Sequence, residues 1–134
     1  MQKEISPQIN EATIRLLNRH GVEVVVPKKI RCCGSLNHHL GKEDDAHQDF
    51  RNNINTWYDE HQKGNLDAIL SNTSGCGTTM KDYGFIFKDD EIMKKKAKVI
   101  SDLTKDVSEY LDTNLKLNFK AKEKKYKIAY HSAC

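Results

Sequence analysis

The sequence has no long apolar run. No stretch reaches about 18 consecutive apolar residues, the least that spans a bilayer core as a helix, so no transmembrane helix is predicted. The first residues, Met1–Pro7, contain no apolar segment typical of a secretory signal peptide. We therefore expect a cytoplasmic protein.

Signatures of nucleic-acid binding are also lacking. The 22 Lys and Arg residues are nearly balanced by 19 Asp and Glu residues, and the net charge is +3. The positive charge is concentrated at Lys94–Lys96 and between Lys120 and Lys127, without a recognisable nucleic-acid-binding motif. We interpret these as a solvated helix face and a basic loop, and expect no nucleic acid as a partner.

The four cysteines lack the spacings of common cysteine sites. They form neither the Cys-x2-4-Cys knuckle of structural zinc sites nor the Cys-x-x-Cys of thiol oxidoreductases. In a reducing compartment, clustered cysteines bind metal or act catalytically more often than they form disulfides. The cysteines and their flanking glycines are Cys32, Cys33, Gly34, Gly75, Cys76, Gly77 and Cys134.

The spacing of apolar residues predicts alternating helices and strands. Helices are predicted at about Pro7–His20, Glu43–Gly64, Met80–Phe87 and Asp90–Asp112, and strands at Val22–Val26, Asp67–Leu70 and Tyr126–Tyr130. Strands separated by helices indicate a three-layer α/β fold with a short parallel sheet of about three strands and helical crossovers. The order begins on a helix and ends on a strand, so we expect a fold that is incomplete at both ends. The alternative is a complete three-strand domain that dimerises.

Every cysteine comes just past the carboxyl end of a predicted strand. In an open parallel sheet this edge binds ligands, and one helical crossover separates Cys33 from Cys76. Sulfur-rich sites hold zinc or iron–sulfur clusters, but adjacent cysteines can hardly both point at one small ion. We therefore predict an iron–sulfur cluster, with Cys32, Cys33 and Cys76 as ligands and Cys134 as a further candidate.

The glycines and a histidine extend this predicted site. Gly34, Gly75 and Gly77 would let the backbone approach a bulky cluster and leave amide donors free for its sulfides. His38 and His39 lie in the Cys33 loop, where they would donate hydrogen bonds to a cluster sulfide, remain solvated or ligate. We take His38 as the candidate for a cluster-binding role.

Two other classes of function stay open. Cys76 at the start of a helix could be a redox-sensing or catalytic thiol, with His38, His39 or His131 as its base. The cysteines could instead be small buried side chains in an α/β interaction domain. Either class would need no cluster.

Several segments resemble the cysteine-rich CCG domain of the glycolate oxidase iron–sulfur subunit. One subunit of heterodisulfide reductase and the lactate-utilisation proteins contain the same domain at greater distance. The resemblance covers nearly the whole chain, and its segments are Ile9–Thr13, Gly21–Pro27, Cys32–His39, Ser74–Gly77, Met80–Gly84, Asp102–Glu109 and Tyr130–Cys134.

The resemblance implies an oxidoreductase subunit that carries an iron–sulfur cluster of the 4Fe-4S type. It implies electron transfer toward quinone from a flavin (FAD) subunit that oxidises glycolate to glyoxylate, with peripheral association at the inner face of the membrane. Cys32, Cys33 and Cys76 match the domain's cluster ligands, and Cys134 matches the first cysteine of a second copy. The implied domains are 1–125 and 126–134.

The sequence departs from the family pattern in several places. The family has a strand ending in Gly-Cys before the segment matching Gln2–Ile5, a second domain after Cys134 and a ferredoxin-like domain. All three are missing, so we expect this chain alone to be inactive. Thr79 stands where heterodisulfide reductase has a further cysteine, which argues against its double-cubane chemistry. A lactate-utilisation or heterodisulfide-reductase-like subunit is the alternative within the superfamily.

Overall fold

The computed structural model describes residues 5–64, 66–115, 117, 127 and 129. Within these residues, no helix is both long enough and apolar enough to cross a membrane. In chain order the elements are α1 (Pro7–Arg19), α2 (Ser35–His39), α3 (Glu43–Gln62), β1 (Ile69–Ser71), α4 (Ser74–Ile86), α5 (Lys94–Leu103), β2 (Thr104–Asp106) and α6 (Val107–Asn114).

The fold is α/β, as predicted from the alternation of helices and strands. β1 and β2 pair in parallel, with Ile69 opposite Thr104 and Ser71 opposite Asp106. Helices α4 and α5 form the crossover between the two strands. Because parallel strands need such a crossover, the helical connection and the parallel pairing are one feature of the fold.

The core lies where α3, α4 and α5 pack together. Ala46, Phe50 and Ile54 follow one another at intervals of four along α3 and are fully buried, as the predicted apolar stripe requires. The Phe50 ring contacts the rings of Tyr83 and Phe87, with centroids 4.9 and 6.3 Å away. Ile69, Met80, Met93, Ala97 and Ile100 complete this core.

The prediction of one helix over Asp90–Asp112 is wrong. The segment is divided by β2, whose pairing with β1 interrupts the helical hydrogen bonds. Asp106 then caps α6, because its side chain accepts the Ser108 N–H at 2.8 Å while the Glu109 carboxylate accepts the Asp106 N–H at 3.2 Å. This capping box restarts the helix after the strand.

The predicted strand Val22–Val26 is also wrong. These residues lie in neither strand, and Val25 and Val26 are 56% and 69% exposed. The run lines a groove of about 610 Å³ together with residues 66–70. A β-branched run becomes a strand only when a neighbouring strand pairs with it, and no described strand does so here.

Two predicted loops contain helix. The loop between Lys28 and Gly41 includes the short helix α2, and α4 begins at Ser74 rather than at the predicted Met80. Cys76 therefore lies in the first turn of a helix instead of a preceding loop. Cys134 and the predicted strand Tyr126–Tyr130 fall outside the described residues, apart from Lys127 and Ala129.

Candidate metal centre

Cys33 and Cys76 meet although they are 43 residues apart in the sequence. The Cys33 thiol donates a hydrogen bond to Cys76 Sγ at 2.9 Å. Both side chains are half-buried and pack against the core, whereas the neighbouring Cys32 is exposed. The structure thus brings together two of the predicted cluster ligands and leaves the third beside them at the surface.

The two thiols form a pair rather than a finished metal site. Within the described part of the chain, no three His, Cys, Asp or Glu side chains lie close enough together to hold a metal ion. An iron–sulfur cluster commonly takes four cysteine ligands. Further ligands for a cluster would have to come from Cys32 and from beyond the described residues.

Gly34 brings the cysteine loop close to α3. Its φ of +79° lies in the left-handed region, and α2 starts immediately after it. A Cβ added at Gly34 would lie 2.4 Å from Phe50 Cε1 and 3.1 Å from the Ala46 carbonyl oxygen. The glycine is therefore required for the turn and for the close approach of the loop to the helix.

The first turn of α4 places Cys76. A Cβ added at Gly77 would lie 3.3 Å from Ser71 Cβ, so Gly77 lets the helix start close to the end of β1. At Gly75 the corresponding position has no atom of the described residues within 4 Å. The space beside Gly75 is therefore open on the same turn that carries Cys76.

Cys33 is a neutral thiol at neutral pH. Burial, followed by the hydrogen bond with Cys76, raises the pKa of Cys33 to about 12, while a hydrogen bond with the Ser35 backbone acts in the opposite direction. Because thiolates are the metal-binding form, a metal that binds Cys33 must displace its proton. Metal binding at this pair is therefore expected to strengthen as pH rises.

His38 packs on the core. Its ring contacts Phe50 edge-on, with centroids 5.7 Å apart, and its Nδ1 is buried without a hydrogen-bond partner among the described residues. The neighbouring His39 is exposed, with its ring centroid 6.0 Å from that of His38. The structure thus separates two adjacent histidines that the sequence left equivalent.

Two buried polar residues, Asn53 and Tyr83, hold the cysteine loop and were missed by the sequence analysis. Asn53 Nδ2 donates to the Cys32 carbonyl at 2.7 Å, and the Tyr83 hydroxyl donates to the Cys33 carbonyl at 2.8 Å. Asn53 lies three residues after Phe50 and so on the apolar face of α3. A polar residue on that face is the signal that could have identified it, because a buried amide needs hydrogen-bond partners.

Residues 1–81 match the family model described as a cysteine-rich domain, CCG. Over 99% of its length the chain is 35% identical to the glycolate oxidase iron-sulfur subunit of Escherichia coli K12, of which it covers 32%. It is 30% identical over 76% of its length to the probable glycolate oxidase iron-sulfur subunit of Bacillus subtilis strain 168, covering 22% of that protein.

Lactate utilization protein A of Geobacillus sp. strain WCH70 is 27% identical over 92% of the chain and is covered to 50%. The chain thus spans between about a fifth and a half of the length of these relatives. No solved structure matches it. The family match includes Cys32, Cys33 and Cys76 and covers more than half of the 134 residues. The chain therefore belongs to the cysteine-rich CCG domain family.

Proposed function

We propose that this chain is the cluster-carrying part of an iron–sulfur electron-transfer subunit. The observation that carries the proposal is the Cys33–Cys76 pair, two soft donors whose Sγ atoms lie 2.9 Å apart although they are 43 residues apart in the sequence. The names of the E. coli and B. subtilis relatives support it, since the first is named an iron-sulfur subunit and the second a probable one. Such a cluster, when bound, accepts and donates electrons at a potential set by its surroundings.

The donor set fits such a group in its chemistry. Cys33 and Cys76 supply converging thiols, and the exposed Cys32 is a third thiol next in sequence. The open space at Gly75 leaves room beside Cys76. We assign a 4Fe-4S cluster to Cys32, Cys33 and Cys76.

Four further residues complete the proposed site. Cys134 is a further ligand candidate in this assignment. Gly34 and Gly77 would line the site with Gly75. His38, whose buried Nδ1 has no partner among the described residues, would hydrogen-bond a cluster sulfide.

The proposed partners extend the glycolate oxidase that two relatives are named after. We infer that electrons come from an FAD-containing subunit oxidising glycolate to glyoxylate and leave toward quinone, in a complex at the inner face of the membrane. Lactate is the alternative donor, which the lactate utilization relatives favour. The chain is then an oxidoreductase subunit that is inactive alone, and its division into 1–125 and 126–134 stays a prediction.

Anaerobic reconstitution tests the cluster. The purified chain incubated with ferrous iron and sulfide should gain the broad visible absorption of sulfide-to-iron charge transfer and a stoichiometric iron content. Cys33→Ser and Cys76→Ser should each lose most of both signals, whereas Thr78→Ser, an exposed change two residues from Cys76, should load like the parent. A folded parent that binds no iron would overturn the proposal.

The same pair favours a second candidate, a cluster-free thiol redox module. Two thiols at 2.9 Å can exchange with oxidised glutathione, which takes up two electrons and two protons as the Cys33–Cys76 disulfide forms. Mass spectrometry should then find a loss of two hydrogens in a chain equilibrated with reduced and oxidised glutathione, with the exposed Cys32 still open to alkylation. A chain that loads iron and keeps both thiols reduced under the same glutathione poise would exclude this candidate.

A further inference from the structure

The backbone at Arg31–Cys33 lies outside every helix and strand. Buried backbone polar groups need partners, and outside regular structure these must be side chains or water. Two side chains from two different helices form hydrogen bonds with backbone groups of this stretch. They are Asn53 from α3 and Tyr83 from α4. Both are fully buried.

Asn53 binds this stretch as a neighbouring backbone would, through both a donor and an acceptor. Its Oδ1 accepts the Arg31 N–H at 2.9 Å, and its Nδ2 donates to the carbonyl oxygens of Cys32 at 2.7 Å and Arg31 at 3.4 Å. Asn52 supports it by donating to Asn53 Oδ1 at 3.2 Å and to the Lys29 carbonyl at 2.8 Å. The side-chain amide of Asn53 thus binds both a backbone N–H and two backbone carbonyl oxygens of the residues that lead to Cys33.

Tyr83 ties Cys33 to the helix that carries Cys76. Cys76 and Tyr83 are seven residues apart on α4, which is about two helical turns, so both face the same side. The Tyr83 hydroxyl donates to the Cys33 carbonyl at 2.8 Å, and Cys76 Sγ accepts from the Cys33 thiol at 2.9 Å. One helix therefore holds Cys33 at both its backbone and its side chain.

The ring of Tyr83 is held in turn by the core. Its centroid lies 4.9 Å from that of Phe50, whose ring also fills the space that a Cβ at Gly34 would need. The hydroxyl therefore has little freedom to move away from the carbonyl. Loss of the hydroxyl would leave the Cys33 carbonyl without this partner and free the loop to shift.

We infer that Asn53 and Tyr83 are positioning residues that hold Cys33 against Cys76 so that the two thiols are presented together to a cluster. The inference rests on the proposed function for its purpose, while the geometry of the thiol pair exists without a cluster. Its consequence is measurable in the metal-free protein as the effective concentration of one thiol at the other.

The test measures that effective concentration directly. In a Cys32→Ser, Cys134→Ser background, metal-free protein is equilibrated with glutathione and its disulfide, and the Cys33–Cys76 disulfide is quantified by mass spectrometry. Tyr83→Phe, which removes one oxygen and keeps the buried ring, should lower the effective concentration about tenfold or more, as should Asn53→Ala. The matched control Tyr58→Phe removes a hydroxyl from α3 without a described contact to the cysteine loop and should leave the value unchanged.

A second readout uses the loaded protein with all its cysteines. Tyr83→Phe should shift the electron paramagnetic resonance spectrum and the midpoint potential of the reconstituted cluster, while Tyr58→Phe should not. If folded Tyr83→Phe protein kept the parent's effective concentration of one thiol at the other, the positioning role would be overturned, even if the melting temperature fell. If Asn53→Ala does not fold, Tyr83→Phe decides. If the folded parent chain binds no iron, the proposed function fails, while the thiol measurement still tests this inference.

Discussion

At Gly34, two independent constraints exclude a side chain. The φ of +79° is costly for any residue with a Cβ, by about 1–2 kcal/mol. The Cβ would also lie 2.4 Å from a ring atom of Phe50, which is fully buried and has no room to yield. The second constraint packs the cysteine loop against the centre of the core. A side chain added at Gly34 should therefore also lower the free energy of unfolding.

Gly34→Ala should therefore destabilise the chain by more than the backbone strain alone. We expect a loss above about 2 kcal/mol in the free energy of unfolding, measured by urea denaturation followed by circular dichroism. Gly41→Ala is the matched control, since Gly41 has φ +73° but no atom of the described residues within 4 Å of its added Cβ. It should cost only the backbone strain, about 1–2 kcal/mol. Equal losses in the two variants would contradict the Phe50 contact.

Only part of the candidate site could be predicted from the sequence. Cysteines are soft donors, and their positions after two predicted strands led to the expectation that Cys33 and Cys76 would lie close together. They do, but the strand predicted before Cys33 does not form. The exposure of Cys32 and the holding contacts of Asn53 and Tyr83 could not be predicted. Those depend on how α3 and α4 pack behind the loop, and local spacing does not encode that packing.

Among the elements, α5 and α6 explain why periodicity misled. Ala97 and Ile100 in α5 and Val107 in α6 keep helical spacing across β2, so one long helix fitted the apolar pattern. The signal against it was the capping box at Asp106 and Glu109, which marks a helix start. The Val22–Val26 run misled for a different reason. Its residues favour a strand, but no described strand pairs with them.

The turn before α5 is set by one carboxylate. Asp90 Oδ1 accepts the N–H groups of Met93 at 2.9 Å and Ile92 at 3.0 Å, and Oδ2 accepts from the Arg51 guanidinium of α3 at 2.6 Å. The Met93 hydrogen bond, followed by that of Arg51, holds the pKa of Asp90 below its ordinary value of 3.8. The folded state thus favours the carboxylate, and its stabilising effect is present above the unfolded pKa and lost as pH falls through the folded one.

Asp90→Asn should lower the melting temperature at neutral pH and have a smaller effect well below pH 3.8, where the parent carboxylate becomes protonated. Thermal unfolding followed by circular dichroism across this pH range measures the difference. Asp89→Asn is the control, because Asp89 makes no ion pair among the residues that the structure describes. A difference between parent and Asp90→Asn that stays constant down to the lowest pH would refute the assignment.

Over the whole molecule, burial is unevenly distributed. The core belongs to α3, α4, α5 and β1, whereas α1 contributes one buried side chain, Leu17. Ile5 and Ile9, at the start of the chain, are 72% and 44% exposed. Hydrogen bonds from Asn72 to Asn10 and Thr13 attach α1 near the end of β1. The alternation of elements predicted the α/β class. The uneven burial could not be predicted, because it depends on which helix faces pack against one another in the folded chain.

Such a distribution predicts two levels of local stability. Amide hydrogen exchange followed by mass spectrometry should find the amides of α1 exchanging through local opening, well before those of α4 and α5. A matched pair of core truncations separates the levels. Ile100→Ala removes a fully buried side chain from the core, should cost about 2–5 kcal/mol and should speed exchange in α3, α4 and α5 together.

Leu17→Ala removes a side chain of the same volume that is 3% exposed, but from the periphery. It should speed exchange in α1 and leave α4 close to the parent, because α4 buries its own residues without α1. If Leu17→Ala instead accelerated α1 and α4 equally, α1 would belong to the same cooperative unit as the core. The Cys33–Cys76 pair lies on that core unit, so its geometry should persist when α1 opens.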